Sequence, residues 1–331
     1  MGTIEVAETP AGNAVPGASL PRWALVRRVA LAVYGMAFAA AVLAWGLPFQ
    51  RELVLAWTCG ALACASIGRS PRDIVRLVCD WVPFAAILLV YDLSRGVADS
   101  LGSPIHTSEM IDADRWLFGG HVPTEWLQAR LLDPNLVHWW DVCFALIYSS
   151  HFIVPFVVAG VLWAKRRQWF IDYARRLVTL SFAGLATYVA FPATPPWLAA
   201  EHGDLHGVAR STGLGWRAID LHAANLFERG QASVNQVAAV PSLHAGFAAL
   251  VAIFLWRKVR PGWRPLLALY AVAMGLTLVA TGEHYAIDVF LGWGYAGAVM
   301  FVWGWWEQRG WNLVSLFSRR SSLGLQAERG P

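Results

Sequence analysis

The sequence is poor in charged residues: Asp, Glu, Lys and Arg make up only 15% of its 331 residues. A soluble globular domain carries about 25% charged residues, so this composition excludes an ordinary soluble protein. The hydrophobic fraction is 57% and the mean hydropathy is +0.46. The 19 Trp residues favour the same class, because indole rings collect at membrane–water interfaces. The composition therefore predicts an integral membrane protein.

Cysteine is also scarce, and its spacing excludes the usual cysteine-based sites. Cys59, Cys64, Cys79 and Cys143 all lie in apolar segments, and none of them forms a CxxC pair. Neither a disulfide framework nor a zinc site is expected from such cysteines. The chain also lacks a Walker A loop, a G-x-G-x-x-G stretch and a G-x-S-x-G elbow, so the common nucleotide and hydrolase sites are not indicated.

Eight apolar segments are candidates for membrane-spanning helices, each of which needs about 20 residues at a rise of 1.5 Å. They are Leu25–Leu47, Leu53–Ile67, Leu77–Leu93, Trp140–Trp163, Leu177–Phe191, Val240–Trp256, Leu266–Thr281 and Ile287–Trp305. The second is short and rich in small residues, which leaves open whether it crosses fully. The sequence thus predicts an all-α, polytopic membrane helical bundle with a six-helix core and two amino-terminal spans, about eight transmembrane helices.

Basic residues predict the orientation of these spans. They cluster at Arg22–Arg28, Arg69–Arg76, Lys165–Arg176 and Arg257–Arg264, and again in the carboxy-terminal tail. With eight spans, all these clusters fall on one side, which the positive-inside rule makes cytoplasmic. Both termini then face the cytoplasm, and the two long loops face outward. The expected units are a disordered lead-in (1–20), two additional spans (21–76), the six-span core (77–306) with outer loops 94–139 and 192–239, and a cytoplasmic tail (307–331).

Three outward-facing stretches hold unusual polar groups: "FPATPPW" (191–197), "PSLH" (241–244) and "GEHYAIDVFLG" (282–292). Ionisable residues are expensive in membrane spans, so they indicate function by default. The predicted orientation places all three stretches at one membrane depth, although they are far apart in sequence. We therefore expect them to form one site.

The third stretch places His284 and Asp288 four residues apart, on one face of a helix. A carboxylate there can accept from one imidazole nitrogen and raise the basicity of the other, as a nucleophilic histidine requires. The alternative is a polar pair that holds two helices together.

In "PSLH", Pro241 is expected to pre-shape the first helical turn and to leave unpaired N–H groups facing outward. Those amides and the Ser242 hydroxyl predict an anion site. His244 stands beside it and can donate a proton to a departing oxygen. The alternative is a capped helix with an interfacial histidine. Two histidines, an orienting aspartate and a helix-end anion site together indicate phosphoryl chemistry.

"PSLHAG", followed about forty residues later by "HYAIDV", resembles the type-2 phosphatidic acid phosphatase superfamily of integral membrane proteins. The resemblance is closest to the branch of inositol phosphorylceramide synthases, which tends to carry "PSLH", an "HHY…D" motif and a sequence like "TPPW". It covers the six spans from Leu77 to Trp305. It implies that His284 is the nucleophile that forms a phosphohistidine, Asp288 its orienting partner, and His244 the acid and base. Ser242 and the amides behind Pro241 would hold phosphate oxygens.

The sequence departs from the wider family in its phosphate-binding cations. The first family motif, a Lys followed by Arg-Pro, is absent where "FPATPPW" stands, and the usual Ser-Arg before the third-motif histidine reads Thr277 and Leu278. A charged phosphate in a partly dry site needs compensation. Arg95, at the outer end of its span, is the first substitute and Arg210 the second; the alternative for Arg95 is an interfacial arginine. The other outer arginines are Arg115, Arg130, Arg217 and Arg229.

Further candidates line the expected cavity. Tyr148 and His151 in "YSSHFIVP" lie two to three turns below the outer surface and, with Tyr285, are candidate substrate-binding residues. For His151, the sequence favours a hydrogen-bonded core position over a catalytic role. The stretch 111–132 mixes aromatic and charged residues and predicts an interfacial helix that forms a lip of the cavity. The 192–239 loop is expected to cap it.

The resemblance implies a lipid phosphotransferase or phosphatase that acts on a phospholipid or polyprenyl-phosphate head group at the outer face. The acceptor is a polyol such as inositol, or water. The scheme requires no metal or other cofactor, and its partners are a lipid from the bilayer and the acceptor, with no nucleic acid; the oligomeric state stays open. The alternative is a transporter or a haem-binding electron carrier with paired histidines. A serine protease is disfavoured, because Ser242 and His244 share one helical turn.

Overall fold

Each of the eight apolar segments forms a helix in the computed structural model, which describes residues 22–45, 51–97, 103–133, 135–219 and 236–309. Within these residues the structure contains α-helices, one 3₁₀ turn (261–263) and two isolated β-bridges, so the predicted all-α bundle is confirmed. The twelve helices are α1 (Arg22–Trp45), α2 (Arg51–Ala65), α3 (Pro71–Val97), α4 (Ser108–Leu117), α5 (Pro123–Leu131), α6 (Trp139–Lys165), α7 (Arg167–Ala190), α8 (Pro196–Glu201), α9 (Thr212–Ile219), α10 (Leu243–Leu255), α11 (Arg264–Ala280) and α12 (Ala286–Gln308). The predicted lead-in and nearly all of the predicted tail lie outside the described residues.

Among the residues that the structure describes, five helical segments are long and apolar enough to cross a membrane: Arg22–Trp45, Pro71–Tyr91, Trp139–Lys165, Pro261–Ala280 and Ala286–Gln308. The apolar helices α2 and α10 have 15 and 13 residues. Helix α7 has 24 residues, but its first half carries several arginines. The protein is therefore a multi-pass membrane protein, while the number of eight crossings stays a prediction.

Helix α10 lies at the centre of the bundle, in contact with α6, α7, α11 and α12. Ten of its 13 residues are buried, which explains why this helix is so apolar. Helix α2 packs on α3 and α6, and α1 packs on α2 without burying any residue of its own. The two amino-terminal helices thus form an outer layer on one side of the core.

The basic clusters lie at one end of the bundle, which we call the basic end. Arg167 donates to Asp80 across α7 and α3, and the buried Arg176 donates to Glu307 at the end of α12 at 2.8 Å. Lys258 lies over the ring of Phe254 at 3.9 Å, just beyond α10. Cationic side chains of α7, the α10–α11 connection and the start of α3 therefore gather at this end, as the alternation of basic clusters with the two long loops predicts.

The two long loops meet at the other end. His106 bonds to the backbone of Pro192 and Thr194, and Ala193 bonds to Val237 and Ala239. The single interfacial helix predicted over 111–132 is wrong in one respect: it is two helices, α4 and α5. Gly119 and Gly120 separate them with φ angles of +64° and +94°, a conformation that ends a helix and favours glycine. We call these two helices (108–131) the lip.

Candidate active site

The three polar stretches meet at the loop end of the bundle. The Ser242 N–H donates to the Asp288 carbonyl at 3.0 Å, which joins "PSLH" to "GEHYAID". The Trp197 N–H donates to the Gly282 carbonyl at 3.1 Å, which joins "FPATPPW" to the same segment. The starts of α10 and α12 and the end of α7 therefore converge on one cluster of polar side chains.

His284 and Asp288 form the predicted pair, but His284 lies in the loop before α12 and does not share a helix face with Asp288. Asp288 is fully buried; its Oδ2 accepts from the Tyr285 N–H at 3.0 Å and lies 3.4 Å from His284 Nδ1. Because Nδ1 faces the carboxylate, Nε2 is the nitrogen on the opposite side of the ring. A carboxylate that holds Nδ1–H keeps Nε2 unprotonated and nucleophilic.

His244 lies between this pair and α6. Its ring centroid is 5.7 Å from that of His284, 4.0 Å from that of His151 and 4.8 Å from that of Tyr148. Tyr148 and His151 are three residues apart on α6, so they present neighbouring rings to α10. The structure thus brings together four of the residues that the sequence singled out, although their roles stay predictions.

The start of α10 differs from the expected anion site in its details. The helix begins at Leu243 with Ser242 as its N-cap, so Pro241 precedes the cap and does not shape the first turn. The Ser242 Oγ accepts from the Ala245 N–H at 3.3 Å, and the Gly246 N–H donates to the Ser242 carbonyl. With the Ser242 N–H bonded to Asp288, three amides of this segment already have acceptors within the protein.

Two glycines allow α10 and α12 to approach closely enough for the histidines to meet. A Cβ added to Gly246 would lie 3.2 Å from the Gly292 carbonyl oxygen, and one added to Gly292 would collide with the Ser242 carbonyl. Backbone atoms cannot move out of the way as a flexible side chain can. Glycine at both positions therefore sets the spacing between the two motifs.

We expect Gly292→Ala to lower turnover by about 10²-fold, because pushing the helices apart by about 1 Å displaces His244 from His284. Overpacking of this kind is expected to cost about 1–3 kcal/mol of unfolding free energy. Activity and thermal midpoint of purified protein in detergent measure the two effects. The matched control is Gly297→Ala on the same helix, where no atom lies within 4 Å of the added Cβ. Equal activity of the two variants would contradict the spacing argument.

Arg210 reaches the site, but it is paired. Its Nε and Nη2 donate to the two carboxylate oxygens of Glu283 at 2.8 and 3.0 Å, and Thr212 donates to the same carboxylate at 2.7 Å. The guanidinium also lies over the Trp197 ring, 5.0 Å from its centroid. Burial lowers the pKa of Arg210, but the Glu283 carboxylate more than offsets this and holds the pKa above its usual value. Sequence reasoning missed Glu283; its only signal was an acid next to the candidate nucleophile.

The other candidate cations are less well placed or are not described. The side chain of Arg95 lies outside the part of the chain that the structure describes, as does all of Arg229. The remaining outer arginines, Arg115, Arg130 and Arg217, are exposed. Of the outer arginines whose side chains are described, Arg210 is thus the one beside the motifs.

Tyr285 is not brought to the histidines. It is completely buried in an apolar cluster with Met110, Val122 and Leu205, beneath the lip. This position favours a packing role over a contact with substrate. In the described ranges no group of three or more His, Cys, Asp and Glu side chains is arranged to hold a metal ion.

Comparisons with known proteins identify the family of this chain. Residues 108–303 match the PAP2 superfamily. The phosphoinositol dihydroceramide synthase of Bacteroides thetaiotaomicron is 30% identical over 244 residues, which cover 69% of this chain and 78% of the relative. The inositol phosphorylceramide synthase catalytic subunit aur1 of Schizosaccharomyces pombe is 29% identical over 145 residues, 42% of this chain and 34% of the relative. No solved structure matches.

The match covers more than half of the chain and includes the lip and both histidine motifs. Its relatives are enzymes of lipid metabolism, so an enzyme is supported over the transporter or electron carrier considered from the sequence. The protein is a membrane enzyme that transfers or hydrolyses phosphate groups of lipids. The chain belongs to the PAP2 superfamily and is similar to its inositol phosphorylceramide synthases.

Proposed function

We propose that this enzyme transfers a phosphorus-containing head group between lipid and alcohol through a phosphohistidine on His284. The observation that carries the proposal is the alignment of Asp288, His284 and His244. A buried carboxylate lies 3.4 Å from Nδ1 of one imidazole, and the ring centroid of a second imidazole lies 5.7 Å from that of the first. Nucleophile, orienting group and acid are the three parts that this type of covalent catalysis needs.

The reaction has two halves. In the first, His284 Nε2 attacks phosphorus, the bond from phosphorus to the leaving oxygen breaks, and His244 as an imidazolium gives its proton to that oxygen. In the second, neutral His244 takes a proton from the acceptor hydroxyl, whose oxygen attacks phosphorus and releases His284. Asp288 stays ionised and stabilises the charge that appears on His284 in each half. The proton on His244 is regenerated, so the two halves balance.

The phosphate needs cationic and N–H partners, because the site is largely buried. The Ser242 segment at the start of α10 supplies a helix N-terminus. Arg210 donates to Glu283, the residue that directly precedes His284. Arg95 remains the alternative clamp, since its helix ends on the same side as the motifs. Tyr148 and His151 would complete the wall around the leaving group. On this scheme the protein's own groups supply the stabilisation, and neither a metal nor another cofactor is needed.

The names of the relatives bear on the substrate. A phosphoinositol dihydroceramide synthase joins a phosphoinositol group to a dihydroceramide, and the second relative is named for inositol phosphorylceramide. We therefore propose transfer of a head group such as phosphoinositol from a phospholipid or polyprenyl-phosphate donor to an alcohol. A polyol such as inositol or a lipid hydroxyl is the acceptor, and water gives hydrolysis. Sidedness follows from the positive-inside rule: the basic end is cytoplasmic and the site is at the outer face.

The experiment that separates these outcomes uses purified protein and a panel of phospholipids radiolabelled in the phosphate. Each donor is incubated alone, with inositol, and with dihydroceramide. A labelled product that contains the acceptor and forms only in its presence establishes transfer: a new lipid with dihydroceramide, or a water-soluble inositol phosphoester with inositol. Labelled free phosphate or a labelled water-soluble phosphoester that forms equally from the donor alone selects hydrolysis. If no donor is consumed while the protein is folded, these lipid substrates are wrong.

A further inference from the structure

The lip holds both ends of the loop that carries His284. This loop, residues 281–285, which we call the nucleophile loop, connects α11 to α12. At its far end, Asp114 of α4 accepts from the Ala286 N–H through Oδ2 at 3.0 Å and from the Ile287 N–H through Oδ1 at 2.9 Å. At its near end, Gln128 of α5 donates to the Ala280 carbonyl at 3.1 Å. Two side chains from the lip therefore bracket the nucleophile loop across more than 150 residues of sequence.

Both side chains are buried, so these bonds do not compete with water in the described structure. Asp114 is 0% exposed and Gln128 is 2% exposed. Hydrogen bonds to an ionised acceptor are about twice as strong as neutral ones, and two amides at a helix N-terminus favour a carboxylate further. Gln128 also bonds to the N–H and the carbonyl of Ala209, which fixes the segment that carries Arg210. The lip is thus attached to the site by oriented polar contacts as well as by apolar packing.

Asp114 also limits which helix N-terminus is available to bind phosphate. It occupies the amides of Ala286 and Ile287, and Asp288 occupies that of Tyr285, so the N-terminus of α12 already holds two carboxylates. The direction of the first turn of α12 sets where the backbone of His284 points. A displacement of about 1 Å at a reacting atom can lower a rate by about 10²-fold.

We propose that Asp114 is a positioning residue: from the lip it fixes the first turn of α12, and through that turn it directs the His284 imidazole at the phosphorus. The proposal rests on the phosphohistidine mechanism above and adds a residue that acts without touching substrate. A purely structural cap would contribute to folding but would leave the chemical step of the folded enzyme unchanged.

The ionisation of Asp114 offers a readout that separates these two roles. Burial raises its pKa to about 6, with the Ile287 and Ala286 N–H groups opposing and the Asp288 charge adding to the rise. Tyr285 is the other titratable group of α12 that faces it, with Asp204 and Glu125 beyond. Above this pKa the carboxylate accepts both amide bonds. Below it the protonated group has one hydroxyl donor and holds the turn less well, as an asparagine would.

The test compares Asp114→Asn with Asp112→Asn, a matched control on the same helix whose carboxylate is 72% exposed and 3.7 Å from Arg115. For Asp114→Asn we expect kcat to fall about 10- to 100-fold with KM within about threefold, and phosphoenzyme formation to slow by the same factor. The thermal midpoint should stay close to that of the wild type, because two effects on stability oppose each other. The substitution removes one hydrogen-bond acceptor, but it also removes the cost of burying a charge. Asp112→Asn should behave as the wild type.

The pH dependence gives the second measurement. The ratio of wild-type to Asp114→Asn kcat should shrink towards one from about pH 7.5 to about pH 5, because the wild-type carboxyl becomes neutral over that range. Titration of the histidines affects both proteins and cancels in the ratio.

An Asp114→Asn enzyme that is folded and has wild-type kcat, or a ratio that does not change with pH, would overturn the positioning role. If this variant does not fold, Asp114→Glu takes its place: it keeps the charge, moves it by one methylene, and should lower kcat similarly, whereas full kcat would refute the proposal. His284→Ala is assayed alongside. If that variant is active, the phosphohistidine mechanism itself fails; if it is inactive while Asp114→Asn is unaffected, only the positioning role fails.

Discussion

Replacing His284 by alanine is expected to abolish turnover, with a loss of at least about 10⁴-fold, because the attacking nitrogen is removed and no neighbouring group can take its place. His284 Nδ1 lies 3.4 Å from the Asp288 carboxylate, whereas the ring of His244 contacts those of His151 and Tyr148 on α6. The fold should survive, since Asp288 keeps its bond to the Tyr285 N–H and the cap of α12 by Asp114 is untouched.

The measurement is twofold: product formation from a phosphate-labelled donor, and label retained on the protein after rapid denaturation. A phosphohistidine is labile to acid and stable to alkali, which distinguishes it from a phosphoserine on Ser242. The wild type should carry alkali-stable label and His284→Ala none. His202→Ala, an exposed histidine beyond α8, is the matched control and should be fully active. Alkali-stable label on purified, folded His284→Ala would place the nucleophile elsewhere.

Replacing His244 by alanine is expected to lower turnover of the lipid donor by about 10²- to 10⁴-fold, the usual contribution of a general acid or base. The loss should depend on the leaving group. A lipid or sugar alkoxide needs a proton as it departs, whereas a nitrophenolate does not. With a nitrophenyl phosphoester donor, the first half-reaction of His244→Ala should therefore approach the wild-type rate.

The second half-reaction still needs a base, so label should accumulate on His284 in His244→Ala when the nitrophenyl donor is used. A burst of nitrophenol equal to the enzyme concentration, followed by slow turnover, is the kinetic signature. An equal loss of the first half-reaction with both donors would argue against the acid role and for a structural role of His244 against Tyr148 and His151.

The contact between His284 and Asp288 could be predicted from the sequence because the two residues lie close together along the chain. The four-residue spacing predicted the contact between His284 and Asp288, but the predicted reason, one shared helix face, is wrong: His284 lies before the helix, and Asp288 meets it because its carboxylate turns back to the N-cap Tyr285. Hydropathy likewise predicted all eight helices, because the hydropathy of a segment depends only on the residues within it. The gathering of basic residues at one end followed from counting spans between them.

Two features of the lip could not be predicted from the local sequence. Its composition predicts an interfacial location, and Trp116 of α4 is 83% exposed. The break at Gly119 and Gly120 was missed, because two adjacent glycines do not say which conformation they adopt. Nothing near Asp114 in the sequence suggested that its carboxylate caps a helix that begins 172 residues later.

The sequence by itself determined that this is a membrane-embedded helical bundle with a histidine–aspartate pair and a second histidine motif, because hydropathy and short sequence spacings act within single segments. Only the tertiary structure decided what surrounds that pair: the Gly246–Gly292 approach that sets the distance between the histidines, the Glu283 partner of Arg210, and the Asp114 cap. These contacts join segments that are from 46 to 172 residues apart. Their formation depends on how helices pack side by side, which no local pattern in one segment encodes.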